Sequence, residues 1–106
     1  MNPEMLGKIS TIKGVLGVTL TDPYGELLSS TIDDEKVNEF IAFLPGIAPV
    51  IEEGLGLGEI DQVLLKGAQI DNLTIFIDQG QSLGVQSEPR SSTQVLSRQI
   101  KEVISS

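Results

Sequence analysis

Between residues 15 and 30 the chain reads Val-Leu-Gly-Val-Thr-Leu-Thr, then Asp22-Pro23-Tyr24-Gly25, then Glu-Leu-Leu-Ser-Ser. Pro23 presets φ for the second position of a tight turn, the Asp22 side chain can bond backbone two residues on, and Gly25 tolerates positive φ. Two β-rich runs around such a turn form a hairpin. Almost at once Asp33-Asp34-Glu35-Lys36 opens a long apolar stretch. The chain is thereby committed to an antiparallel pair that feeds directly into a helix, and the rest of the sequence has to cover both.

Ahead of the hairpin, Asn2 can cap a short helix and Pro3 suits its first position, with Met5, Leu6, Ile9 and Ile12 at helical spacing and Gly14 ending it. The first strand covers residues 15–21, where Gly17 implies close approach of a packed helix or neighbouring backbone, and the second covers 26–30. The second helix starts at Asp33 or Asp34, whose carboxylates can cap its free N–H groups. Its apolar residues form two stripes, Val37, Ile41, Leu44, Ala48, Ile51 and Leu55 on one and Phe40, Phe43, Ile47 and Val50 on the other. The stripes lie about 100° apart, giving an arc wider than one sheet face needs. Pro45 and Pro49 delete backbone donors, so the helix is expected either to kink or to break in two. Gly54-Leu55-Gly56-Leu57-Gly58 ends it.

A third strand is expected over 59–66, with Val63-Leu64-Leu65 reading as a run buried on both faces, followed by a turn at Gly67-Ala68-Gln69. A fourth over 72–78 and a fifth over 82–86 flank Asp78-Gln79-Gly80-Gln81. Five strands in two antiparallel groups result. Pro89 and Ser91 or Ser92 introduce a last helix with Val95, Leu96, Gln99, Ile100, Val103 and Ile104 on one face and Arg98, Lys101 and Glu102 on the other.

A chain of 106 residues fits one domain, residues 1–106. It has neither cysteine nor histidine, which removes disulfides, thiol chemistry, the commonest neutral-pH base and the commonest transition-metal ligand. The N-terminus lacks a basic leader and no apolar run approaches the roughly 20 residues needed to span a bilayer, so a cytoplasmic protein without membrane insertion is expected. Net charge is −8 and uneven: residues 22–61 hold ten acids against Lys36 alone. With no basic stripe and no interleaved aromatics, nucleic acid is not an expected ligand. Such an acidic surface either solvates a helix start and two loops or steers a basic partner.

No constellation reads as catalytic. Asp33-Asp34 and Glu52-Glu53 are adjacent pairs that point about 100° apart on a helix and do not converge on one substrate. Ser29, Ser30, Ser91 and Ser92 have no histidine to activate them, and Lys66 and Asp71 read as edge and turn residues. The glycines at 54, 56 and 58 close a helix and open a strand, the reverse of a phosphate loop. Neither a cofactor nor a metal is expected, nor tight nucleotide binding or hydrolysis by the chain alone.

In order and local pattern these residues resemble the Roadblock/LC7 family. The resemblance rests on Gly14-Val15-Leu16-Gly17, the Asp-Pro-Tyr-Gly hairpin, Glu26-Leu27-Leu28-Ser29, the Asp-capped helix, and Gly56-Leu57-Gly58-Glu59. It continues through Val63-Leu64-Leu65-Lys66-Gly67, Leu73-Thr74-Ile75-Phe76 and Leu83-Gly84-Val85. It implies a profilin-like α+β fold, a five-stranded antiparallel sheet sandwiched between one long helix and two terminal helices. It also implies a homodimer or paralogue heterodimer, joined through the long helix and the third strand, that regulates a Ras-like small GTPase or serves as a structural adaptor. Pro45 and Pro49 depart from the uninterrupted Ala-rich helix of the relatives. Combined with the surplus apolar stripe, the resemblance puts Phe40, Phe43, Leu44, Ile47, Ile51, Val63 and Leu65 at the dimer interface, Leu44 and Ile51 being able to exchange roles with Phe43 and Ile47. The acids Asp33, Asp34, Glu35, Glu39, Glu52 and Glu53 are the expected partner-binding residues.

Overall fold

In the computed structural model, which describes residues 1–56, 58–66 and 71–105, the hairpin and the three later strands form one sheet. Strands β1 (Val15–Thr21), β2 (Leu27–Ser30), β3 (Gln62–Leu65), β4 (Asn72–Asp78) and β5 (Gln81–Ser87) lie in the order β2-β1-β5-β4-β3, every pair antiparallel. The two expected groups are joined by β1 against β5, with Val18 opposite Val85 and Leu20 opposite Leu83. The expected turn at 67–69 lies outside the described residues.

Alternation along each strand assigns the two faces. Val18, Leu20, Phe76, Leu83 and Val85 point to one side, where Leu6 and Ile9 of α1 (Glu4–Ser10) and Leu96 and Ile100 of α3 (Thr93–Ser105) close an apolar core. Ser92 introduces α3, accepting at Oγ from Val95 N–H (3.4 Å) and at its carbonyl from Leu96 N–H (3.0 Å). At the other end of the chain, Asn2 does not cap through its side chain: the first turn of α1 is closed by Met5 N–H and Leu6 N–H on the carbonyls of Asn2 and Pro3, each at 3.2 Å.

The opposite face carries α2 (Glu35–Leu55). Asp34 is its N-cap, accepting from Lys36 and Val37 N–H at 3.0 and 3.3 Å. At the other end Gly56, at φ 64°, gives its N–H to the Glu52 carbonyl. Between the caps the helix neither breaks nor ends at its prolines, and at Pro45 the sheet supplies the missing donor. Pro45 has no N–H for the Ile41 carbonyl one turn back, and the Ser82 hydroxyl donates to that carbonyl instead, at 2.7 Å. Ser82 Oγ is itself 2.7 Å from Thr21 Oγ1, so a fully buried hydroxyl pair replaces the missing helix bond.

Polar anchoring recurs at the start of α2. Thr19 Oγ1 donates to Asn38 Oδ1 (2.6 Å) and contacts Ser30 Oγ (2.6 Å), while Asn38 Nδ2 donates to the Ile32 carbonyl (2.8 Å). Close approach sets the middle: a Cβ at Gly84 would overlap the Ile41 side chain. Gly17 lies against the Ile32 side chain, with the Thr31 carbonyl just behind it, so the close approach there is to the segment between β2 and α2. Apolar contact on this face is smaller, centred on Ile32, Ile41, Leu44 and Ile75, with Val37, Phe40, Ile47 and Val63 partly buried around it.

The expectation for the third strand is overturned as well. The third strand is four residues long, not eight, and sits at the sheet edge, with Gln62 and Val63 half-buried and Leu64 and Leu65 exposed. Neither face of β3 is closed: Val63 packs partly against the core under α2, Leu64 on the other face and Leu65 stay exposed, and among the described residues the strand pairs with β4 alone.

Candidate interaction surfaces

The outer flank of α2 is apolar. Phe43 is 62% exposed, Val50 70% and Leu55 63%, with Ile51 just exposed and Phe40 and Ile47 half-buried. Leu65 of β3, 43% exposed, lies by alternation on the same sheet face as Val63, which packs against the core under α2. Of the residues expected at a dimer interface, Phe43, Ile51 and Leu65 are therefore open. Phe40, Ile47 and Val63 offer one edge each. Leu44 is 4% exposed and belongs to the core under α2. Val50, Leu55 and Leu64 are exposed too; the stripe that contains Phe43 and Ile47 already pointed to Val50.

The acids divide by role. Asp33, Glu35, Glu39 and Glu53 are exposed with room to meet a partner. Asp34 is occupied as the helix cap. Glu52 is half-buried, its Oε2 accepting the Ile60 N–H at 2.6 Å, which ties the end of α2 to the approach to β3. The two clusters are also far apart, since 21 helical residues span about 30 Å. One protomer does not bring them together.

Elsewhere the surface is less specific. Lys13 and Arg90 border a cleft of ≈ 410 Å³ beside the start of α3. Nearby, Asn72 Oδ1, Thr74 Oγ1 and Ser87 Oγ are buried with no hydrogen-bond partner among the described residues, at a cost of about 1–3 kcal/mol each. Among the described residues no group of three or more His, Cys, Asp and Glu could hold a metal ion, and no helix is long and apolar enough to cross a membrane.

This arrangement, a five-stranded antiparallel sheet with one long helix on one face and two terminal helices on the other, defines an α+β sandwich. No family model matches the chain and no curated protein does. Solved structures do. A Roadblock/LC7 domain from Streptomyces avermitilis superposes with a TM-score of 0.73 at 15% identity, covering 98% of this chain and 92% of that one. Myxococcus xanthus MglB gives 0.78 at 21% identity, covering 95% and 89%. A profilin in a LokiProfilin2/rabbit actin complex gives 0.63 at 14% identity, covering 99% and 96%. The chain has the Roadblock/LC7 fold.

Proposed function

We propose that this chain is a non-catalytic homodimer that regulates a Ras-like small GTPase. The observation that carries the reading is the open flank of α2 beside the unpaired edge of β3. An apolar helix flank and an exposed strand edge on the same side of one sheet are surfaces that proteins cover. A second copy covers both at once if β3 pairs with its own symmetry mate and the two α2 helices pack across the same axis. Likeness of the fold to Roadblock/LC7 domains and to MglB supports the GTPase as partner.

In the dimer, two-fold symmetry supplies two copies of Asp33, Glu35 and Glu39 and two of Glu53 around the paired helices. Such a field draws a basic surface and acts mainly on association rate. Residues 22–61 contain no arginine, so this face contributes no arginine finger and works by holding the GTPase's own switch segments in one conformation.

The test is GTP turnover by a Ras-like GTPase of the same organism, with and without the dimer. The triple substitution Asp33→Lys, Glu35→Lys and Glu39→Lys spares the Asp34 cap and the Glu52 tie. It is expected to lower the association rate at least tenfold at low salt and to abolish its salt dependence. Tight binding with unchanged turnover would instead identify a structural adaptor, and an unchanged rate in the triple variant would remove the acidic face from the interface.

A further inference from the structure

Ile77 N–H donates to the Asp61 carbonyl at 2.9 Å, and β3 then runs along β4 with Gln62 opposite Phe76, Val63 opposite Ile75, Leu64 opposite Thr74 and Leu65 opposite Leu73. Bonded and non-bonded pairs alternate along an antiparallel ladder. Asp61, Val63 and Leu65 therefore direct their main-chain groups to β4. The N–H and C=O groups of Gln62 and Leu64 turn to the open edge of the sheet.

A second copy that pairs with this edge across a two-fold axis has to match outward groups with outward groups and keep opposed side chains on the same face. The axis therefore passes through a residue and not between two. For a strand of four residues, Gln62–Leu65, the central choices are Val63 and Leu64. An axis at Val63 sets Leu64 against the partner's Gln62 and Leu65 against the partner's Asp61. The Gln62 amide is already engaged within its own chain, donating to Ser97 Oγ at 2.7 Å, and Asp61 brings a carboxylate beside an apolar side chain. An axis at Leu64 sets Leu64 against its own copy and Leu65 against the partner's Val63, with no carboxylate in the paired stretch 62–66. Leu64 and Leu65, 42% and 43% exposed, then each meet an aliphatic side chain, one on either face of the sheet.

We propose that β3 joins the β3 of a second copy of this chain with the two-fold axis at Leu64. This rests on the homodimer proposed above and adds the register and the identity of the mate. Leu64 exchanges both main-chain bonds with its own copy, Gln62 bonds the partner's Lys66, and the five strands continue into the partner's five. With Leu64 against Leu64 at its centre the edge is complementary to itself, and an identical chain is the partner it fits.

The chain has no cysteine, so a single introduced thiol reports on one position. Directly opposed residues of a bonded antiparallel pair have Cα atoms about 5.5 Å apart, within the span of a disulfide, whereas diagonal neighbours lie about 7–8 Å apart and outside it. With the axis at Leu64, Leu64→Cys meets its own copy directly and Val63→Cys only diagonally; with the axis at Val63 the two exchange places. The experiment is oxidation of each variant with copper phenanthroline at micromolar concentration, read by non-reducing electrophoresis, with far-UV circular dichroism checking that both keep the fold. Leu64→Cys is expected to form the disulfide-linked dimer about tenfold faster than Val63→Cys, or more. Faster linkage by Val63→Cys would overturn the register. A dimer in sedimentation that neither thiol cross-links would mean that the copies join without β3, overturning this proposal while the homodimer stands. A monomer in sedimentation for the unaltered chain would remove the homodimer and this register with it.

Discussion

The two faces of the sheet are finished differently. Beneath α1 and α3 the sheet presents Val18, Leu20, Phe76, Leu83 and Val85, and the helices answer with Leu6, Ile9, Leu96 and Ile100, all buried. Beneath α2 the strands present Thr19, Thr21, Ser82 and Gly84 beside a smaller apolar group around Ile75, and the helix is fixed by hydroxyl contacts, by close approach at Ile41 and by that smaller core. Much of its apolar surface is left outside. A face closed by large aliphatic side chains completes itself within one chain. A face held by small polar groups positions a helix accurately and leaves its apolar flank for something else to cover.

The sharpest way to break this contrast is to cut into each face in turn. Ile100→Ala removes a fully buried side chain from the closed face and is expected to cost about 2–5 kcal/mol in urea unfolding, with a tryptophan-free readout such as far-UV circular dichroism. An effect below about 1 kcal/mol would show that this core is not what holds the sheet. On the α2 face the largest polar effect is expected from Ser82→Ala, which strands the Ile41 carbonyl and costs about 1–3 kcal/mol. In a Pro45→Ala background the helix regains its own N–H for that carbonyl. A double-mutant cycle is therefore expected to show the Ser82 loss shrinking when Pro45 is replaced. Additive losses would mean that the hydroxyl does not substitute for the helix bond. Smaller again is Asp34→Ala, about 1 kcal/mol from two lost cap bonds, visible as a lowered melting temperature.

Legibility in the sequence followed the same division. The hairpin, a capping aspartate at 33 or 34, a glycine stop within 54–58 and the order of the elements are local chemistry, readable within a few residues; the structure selects Asp34 and Gly56. The surplus arc on α2 was readable as well, because helical spacing alone shows more apolar surface than one sheet face covers. What escaped depends on distant partners. The donor that keeps α2 whole at Pro45 comes from Ser82, 41 residues from the carbonyl that receives it. Glu52 looked like its neighbour Glu53 until its bond to Ile60 separated them. Leu44 and Phe43 are adjacent and both apolar, and only the rotation of the helix that sets Ile41 against Gly84 decides which one is buried. Val63-Leu64-Leu65 reads the same whether its strand is central or an edge, since a run of side chains does not say how many neighbours the backbone has.

Whether a second copy covers the open face is decided most directly by sedimentation velocity at micromolar concentration, run on the unaltered chain and on Val50→Asp. Val50 is 70% exposed, so the substitution leaves the protomer's core untouched while placing a charge in the middle of the apolar flank. The expected result is a dimer that becomes a folded monomer in the variant, with far-UV circular dichroism unchanged. A monomer for the unaltered chain, or a dimer that Val50→Asp leaves intact, would contradict it.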